Sequence, residues 1–120
     1  MKYYHHHILM HSALIIDDEE DICILLTIYL RRKNIDAHYS LTLSEGIEKF
    51  KELMPNFCFL DNNLPDGSGI ESIPVIRSIK RDTKIIVISA MSTLKDKAMA
   101  NSADAFIDKP ISFESIQRLI

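Results

Sequence analysis

The chain has 120 residues, 47% of them apolar and 26% charged, with a formal net charge of −3; this is room for one domain around one ordinary hydrophobic core, and it excludes a disordered or fibrous chain. Lys and Arg are dispersed apart from Arg31-Arg32-Lys33 and the Lys80–Lys84 segment, placements that suit helix ends, so direct nucleic-acid binding is not expected. The longest apolar stretch, ICILLTIYL at 22–30, is far short of the roughly 20 residues that span a bilayer, so no membrane insertion is expected either. Cys23 and Cys58 sit inside apolar segments and fit no zinc or CxxC spacing; they read as small buried hydrophobes, free of any disulfide, in a reducing cytoplasmic compartment.

MKYYHHHILMHS opens the chain without a hydrophobic targeting core, so residues 1–11 are expected to be a tag-derived or disordered leader, with the domain over 12–120. Adjacent His5, His6, His7 and His11 on a terminal segment make a poor preorganised ligand set and are not taken as a metal site. ALIID (13–17) predicts a strand, and Ile22, Leu25, Leu26 and Tyr29 at spacings of 3, 4 and 7 predict the inward face of the following helix. DAHYS (36–40) is a second strand with His38 as an edge residue. TLSE (42–45) is a capping box opening a helix that turns Ile47 and Phe50 inward.

NFCFLD (56–61), apolar throughout, predicts a central strand of a parallel sheet covered on both faces. In the loop beyond it, Asp66-Gly67 is expected only to make a turn. SGIE (68–71) offers another capping box before Ile73, Ile76 and Ile79. Pro74 conflicts with a long helix there, which must start near Ser72 or kink. KIIVISA (84–90) is a fourth strand, Leu94 to Ala100 a short helix, and DAFID (104–108) a fifth strand. The last segment, KPISFESIQRLI, has Ser112 as an N-cap and Phe113, Ile116, Leu119 and Ile120 on one face of a helix that breaks off early.

Five β-then-α units predict an α/β fold, a doubly wound parallel sheet with helices on both faces and its chemistry outside the carboxyl ends of the strands. The residues there are Asp17 and Asp18, Asp61, Ser89 and Lys109. Three carboxylates crowded together repel and require a counter-charge. Hard oxygen donors without a convergent His or Cys set favour Mg²⁺ over zinc, and Mg²⁺ shares sites with phosphate oxygens. With a phosphoryl group on Asp61, metal and Lys109 would neutralise its oxygens while the Ser89 hydroxyl hydrogen-bonds them.

LIIDDE (14–19), FLDNNLPDGSG (59–69), VISA (87–90) and FIDKP (106–110), in this order at four strand ends, resemble the receiver domains of two-component response regulators, the CheY-like superfamily, over residues 12 to 120. The resemblance implies a (βα)5 flavodoxin-like fold with strand order 2-1-3-4-5. Asp61 is then the phosphoacceptor for the phosphohistidine of a sensor histidine kinase or histidine phosphotransfer protein. Asp17, Asp18, Asp61 and the Asn63 backbone carbonyl hold Mg²⁺, with Mn²⁺ as a substitute. Ser89 is the switch hydroxyl, Ala90 leaves room for the phosphoryl group, Lys109 contacts it, the Lys109–Pro110 bond is cis, and Phe106 is an aromatic rotamer switch. Asn63 and Met91 tune water access.

The same resemblance implies a regulatory domain that catalyses only its own phosphorylation and dephosphorylation. It signals through the fourth helix, fifth strand and fifth helix to an effector domain or protein partner, as a monomer or weak phosphorylation-dependent dimer. Two departures bear on that surface: Ser89 and Lys109 are 20 positions apart, about two fewer than the common pattern, and Ser102 stands where a glycine usually ends the fourth helix. A haloacid-dehalogenase-like phosphatase would also use a strand-end aspartate with Mg²⁺, but it needs a second Asp two residues on, where Asn63 cannot donate a proton. A pseudo-receiver binding partners without phosphorylation would not need the acidic, hydroxyl and lysine set that this chain carries complete.

Overall fold

Short, mostly apolar segments form the three central strands because both faces of each are covered, which removes the need for polar alternation, while the two edge strands are more polar and only partly buried. In a computed structural model, which describes residues 10–120, these strands are β1 (Ser12–Ile16), β2 (Asp36–Ser40), β3 (Phe57–Asp61), β4 (Lys84–Ser89) and β5 (Ala105–Asp108). All pair in parallel, in the order β2-β1-β3-β4-β5. Between and after them run α1 (Glu20–Arg32), α2 (Leu43–Leu53), α3 (Ile73–Ile79), α4 (Lys95–Ala100) and α5 (Phe113–Gln117). His5, His6, His7 and nearly all of the expected leader lie outside the described residues. No helix among the described residues is long and apolar enough to cross a membrane.

The pleat sorts each apolar run into two cores. Ala13, Ile15, Phe59, Ile86 and Ile88 face α1 and α5, where Cys23, Leu26, Leu30 and Ile116 meet them. Leu14, Ile16, Cys58, Leu60, Ile85 and Val87 face α2, α3 and α4, packing on Phe50, Ile73, Ile76 and Ala98. Each cysteine is a free thiol in one of these cores, and burial pushes both thiols up to about 12.

Three sequence expectations are corrected. The buried stripe of α1 is Cys23, Leu26, Thr27 and Leu30, whereas Leu25 is 56% exposed. The segment is apolar nearly all round, so the helical period fits two adjacent registers and cannot choose between them. Phe113 is also outside the core, 47% exposed, and stacks on Tyr29 with ring centroids 4.4 Å apart and planes 5° from parallel. Asp66 does more than make a turn: its carboxylate accepts the backbone N–H groups of Leu43 (2.8 Å) and Ser44 (2.9 Å). It thereby caps α2 from the loop after β3, and those two bonds hold its carboxyl below the usual range.

The remaining helix ends follow local chemistry. Thr42 Oγ1 accepts the Glu45 N–H at 3.2 Å and Ser112 Oγ the Ser115 N–H at 3.1 Å. Pro74 causes no kink, because α3 begins at Ile73 and a proline in the first turn has no intrahelical hydrogen bond to lose. A short 3₁₀ turn, Ile70–Ser72, precedes it. Arg77 of α3 clamps two loops, donating to the carbonyls of Arg81, Thr83 and Ser102 and to the Asp104 carboxylate at 2.8 Å.

After α4, Ser102 is left-handed at φ 72° and its side chain is exposed. A Cβ in that region costs about 1 kcal/mol. Ser102→Gly is expected to stabilise the protein by about 1 kcal/mol in equilibrium urea unfolding, with the Arg77 contact to its carbonyl retained.

Candidate phosphoryl-transfer site

Because the strands are parallel, Asp17, Asp61, Ser89 and Lys109 all emerge at one edge of the sheet, with Asp61 in register with Ile88 and Ser89 with Asp108. Asp17 is fully buried and Asp61 is 3% exposed. Between them stands the Lys109 ammonium, 3.2 Å from Asp17 Oδ2 and 3.5 Å from Asp61 Oδ1, while it also donates to Glu19 Oε1. Asp17 Oδ1 accepts the Glu19 N–H at 2.9 Å, while the buried Oδ2 meets only the Lys109 ammonium among the described residues.

Asp18 is exposed at the rim, and the carboxylate oxygens of Asp17, Asp18 and Glu19 lie within 4.8 Å of one another. A cleft of about 390 Å³ opens above, lined by Asp18 and Glu19 together with Asp61, Asn63, Ser89, Ala90, Met91 and Lys109. Ser89 Oγ accepts the Met91 N–H at 3.0 Å, leaving its own proton free to donate. The Lys109 N–H donates to the Ser89 carbonyl at 2.9 Å, and the Lys109–Pro110 bond is cis.

The turn after β3 is held hard against the site. Asn62 Oδ1 accepts from the Ser68 hydroxyl at 2.7 Å and from the Ile70 N–H at 3.1 Å. Gly69 packs so closely that a Cβ there would lie 2.2 Å from the Asp61 carbonyl oxygen; only glycine fits. Phe106 does not line the cleft. It is half-buried against the core beneath α4 and borders a separate surface cavity with Asp108 and Ser115.

Two participants were absent from the expected set. Glu19, the third acid of LIIDDE, holds Lys109 at the mouth of the cleft, and its adjacency to Asp17-Asp18 was the available signal. Asn62 is the buttress of the Asp61 turn, and nothing in the sequence separates that role from an ordinary loop amide.

Burial drives the electrostatics. It pushes the Asp61 carboxyl up to about 6, with the neighbouring Asp17 charge adding to the rise and Lys109 and the Asn63 N–H opposing it. Desolvation likewise raises Asp17 despite the Glu19 N–H and Lys109. Burial disfavours the Lys109 ammonium, yet the Glu19, Asp17 and Asp61 carboxylates outweigh it and keep its pKa above the ordinary lysine value. One ammonium cannot fully neutralise three surrounding carboxylates. Hard oxygen donors, one of them buried and held only by the Lys109 ammonium, form a set that fits a small divalent cation.

The response regulator receiver domain family model matches residues 13–120. The chain belongs to this family. This receiver domain is 40% identical to the chemotaxis protein CheY of Thermotoga maritima over 68 residues, 55% of this chain and 57% of that one. It is 33% identical to the response regulator protein PilR of Pseudomonas aeruginosa over 98 residues, 80% of this chain but only 22% of PilR. The match thus spans little more than half of one relative and about a fifth of the other. Among solved structures, the response regulator TrrA of Thermotoga maritima in complex with Mg²⁺-BeF superposes with a TM-score of 0.80 at 29% identity, covering 92% of this chain and 100% of that one. The chain is therefore the receiver domain of a two-component response regulator, a regulatory domain, with the CheY-like fold.

The raised carboxyl pKa values have a thermodynamic sign. A folded state that retains a proton the unfolded chain has released gains stability fully present below about pH 4. That gain is lost as pH rises through about 6 for Asp61. With chelator present, melting temperature is expected to fall from pH 4 to pH 7, and Asp61→Asn to be more stable than wild type at pH 7 by about 2 kcal/mol. Flat, superimposable pH profiles for the two proteins would contradict this origin of the shift.

Proposed function

We propose that Asp61 is the phosphoacceptor of this receiver domain, taking a phosphoryl group from the phosphohistidine of a sensor histidine kinase or histidine phosphotransfer protein in a Mg²⁺-dependent reaction. The observation that carries the reading is a nearly buried carboxylate that still lines an open cleft, 3.5 Å from an ammonium supplied by another strand. An Asp61 oxygen attacks phosphorus in line, the phosphorus–nitrogen bond breaks with its electron pair passing to the ring nitrogen, and the imidazole leaves neutral, its other ring nitrogen already carrying a proton. Burial leaves the Asp61 carboxylate poorly solvated, which makes it a better nucleophile than a surface aspartate.

Asp17, Asp18 and Asp61, with the Asn63 backbone carbonyl, would hold Mg²⁺, for which Mn²⁺ could substitute; the ion supplies charge neutralisation for the transferring oxygens. Lys109 exchanges its Glu19 and Asp61 partners for phosphoryl oxygens, and the small Ala90 side chain leaves space beside them. The Ser89 hydroxyl turns its free proton to the new anion. Phe106, half-buried at the edge of the core beneath α4, then settles toward the space Ser89 vacates and biases the α4–β5–α5 surface read by an effector domain or separate protein partner. Residues 12–120 form the receiver unit, acting in the cytoplasm as a switch that catalyses only its own phosphorylation and dephosphorylation. Asn63, exposed at the cleft, offers no general acid for steady phosphatase turnover.

Incubation with Mg²⁺ and acetyl phosphate or phosphoramidate is expected to add one phosphoryl group to the wild type by intact mass, and none to Asp61→Asn or in the presence of EDTA. Equal uptake by the wild type and Asp61→Asn would remove Asp61 from the role.

A further inference from the structure

Between Asn63 and α3 the chain doubles back on itself. Asn63 pairs with Ser68 and Leu64 with Gly67 in antiparallel register, leaving Pro65 and Asp66 at the tip. A two-stranded hairpin this short has little stability of its own, so its position depends on what holds it. Its base is held by the Asn62 amide and by the Gly69 N–H, which donates to the Asn62 carbonyl at 3.1 Å. Its tip is held by α2. Asp66 sets one carboxylate oxygen on each of two adjacent N–H groups there, Leu43 at 2.8 Å and Ser44 at 2.9 Å, and bonds of this charge-assisted kind are about twice as strong as neutral ones. Below them the buried Leu64 and Leu43 side chains share one core. The start of α2 also has a local cap that leaves the hairpin untouched, because Thr42 accepts the Glu45 N–H through its hydroxyl and the Gly46 N–H through its carbonyl. The two-pronged Asp66 contact therefore ties two loops together and is more than the completion of a helix end.

We infer that Asp66 is a positioning residue for the cation at the transfer site: by clamping the hairpin tip to α2 it fixes the Asn63 peptide, and with it the carbonyl offered to the metal. The inference rests on the proposed reading of Asn63 as a metal ligand and deepens it. The mechanical path is short. Asp66 lies three positions beyond Asn63, and the residues between them are Leu64, anchored in the core, and Pro65, whose ring fixes a backbone dihedral. A displaced tip therefore carries the Asn63 peptide with it. Mg²⁺ demands near-ideal placement of its oxygen ligands, so a carbonyl free to wander binds it more weakly even with the carboxylates in place.

Mn²⁺ uptake by the unphosphorylated protein, followed as loss of the free-ion electron paramagnetic resonance signal, is the test, with circular dichroism and urea unfolding run on each variant. Asp66→Ala is expected to raise the Mn²⁺ dissociation constant about tenfold, the low end of the loss that removing an outer-shell partner causes. Its phosphorylation by acetyl phosphate is expected to slow at limiting Mg²⁺ and to recover at saturating Mg²⁺. Thr42→Ala, which removes the local cap from the same helix end, is expected to lower the urea midpoint but leave Mn²⁺ affinity unchanged. Should Asp66→Ala fail to fold, Asp66→Asn, which keeps one acceptor oxygen, carries the same comparison with a rise of about threefold. Wild-type uptake with no loss of affinity in the folded Asp66 variant, or with an equal loss in Thr42→Ala, would overturn the positioning role and leave the metal reading standing. A wild type that takes up no Mn²⁺ would overturn both.

Discussion

Two carboxylates buried side by side at the end of a parallel sheet are tolerable only with a cation between them, and Lys109 is that cation. Its ammonium touches Asp17 from β1, Asp61 from β3 and Glu19 at the start of α1, so a residue following the edge strand β5 closes a cluster centred two strands away. The reach is possible because β4, which lies between, ends in Ser89 and is followed by Ala90, whose small side chains leave the path over its end clear. A lysine suits the position better than an arginine. Its compact charge sits on a flexible stem and can exchange one oxygen partner for another without the planar geometry a guanidinium demands.

Around that cluster the structure separates parts that are locked from parts that can move. The Asp61 turn is locked: Gly69 lies against its carbonyl, and Asn62 gathers two donors from the following turn. The loops flanking β4 at the opposite end are tied through Arg77 and Asp104, whose carboxylate also accepts the Ile85 N–H at 2.8 Å. Ser89 and Phe106 are less constrained. The Ser89 hydroxyl has one hydrogen bond, from Met91, and Phe106 sits half-buried at the margin of its core. A switch needs this division, because a charge added to a uniformly soft site would be absorbed locally instead of moving a particular element.

What could be read from the sequence depended on whether the signal was local. The three central strands were legible because both faces of a parallel sheet are buried there, which leaves mostly apolar runs such as Ile85 to Ile88. The strand-end acids, serine and lysine were legible because each directly follows such a run, and the structure brings all of them to one cleft edge. Asp66 was misread because the helix it caps lies more than twenty positions away, and no local rule links a loop carboxylate to a distant helix start. The face of α1 was misread for the opposite reason. A helix with apolar residues nearly all round satisfies the period in more than one register, and only the packing of Cys23, Leu26 and Leu30 on the sheet selects among them.

That surplus of apolar residues on α1 gains meaning from where the helix begins. Glu19 immediately precedes it and holds Lys109 at the mouth of the cleft, so whatever covers the outer face of α1 stands within a turn or two of the proposed transfer site.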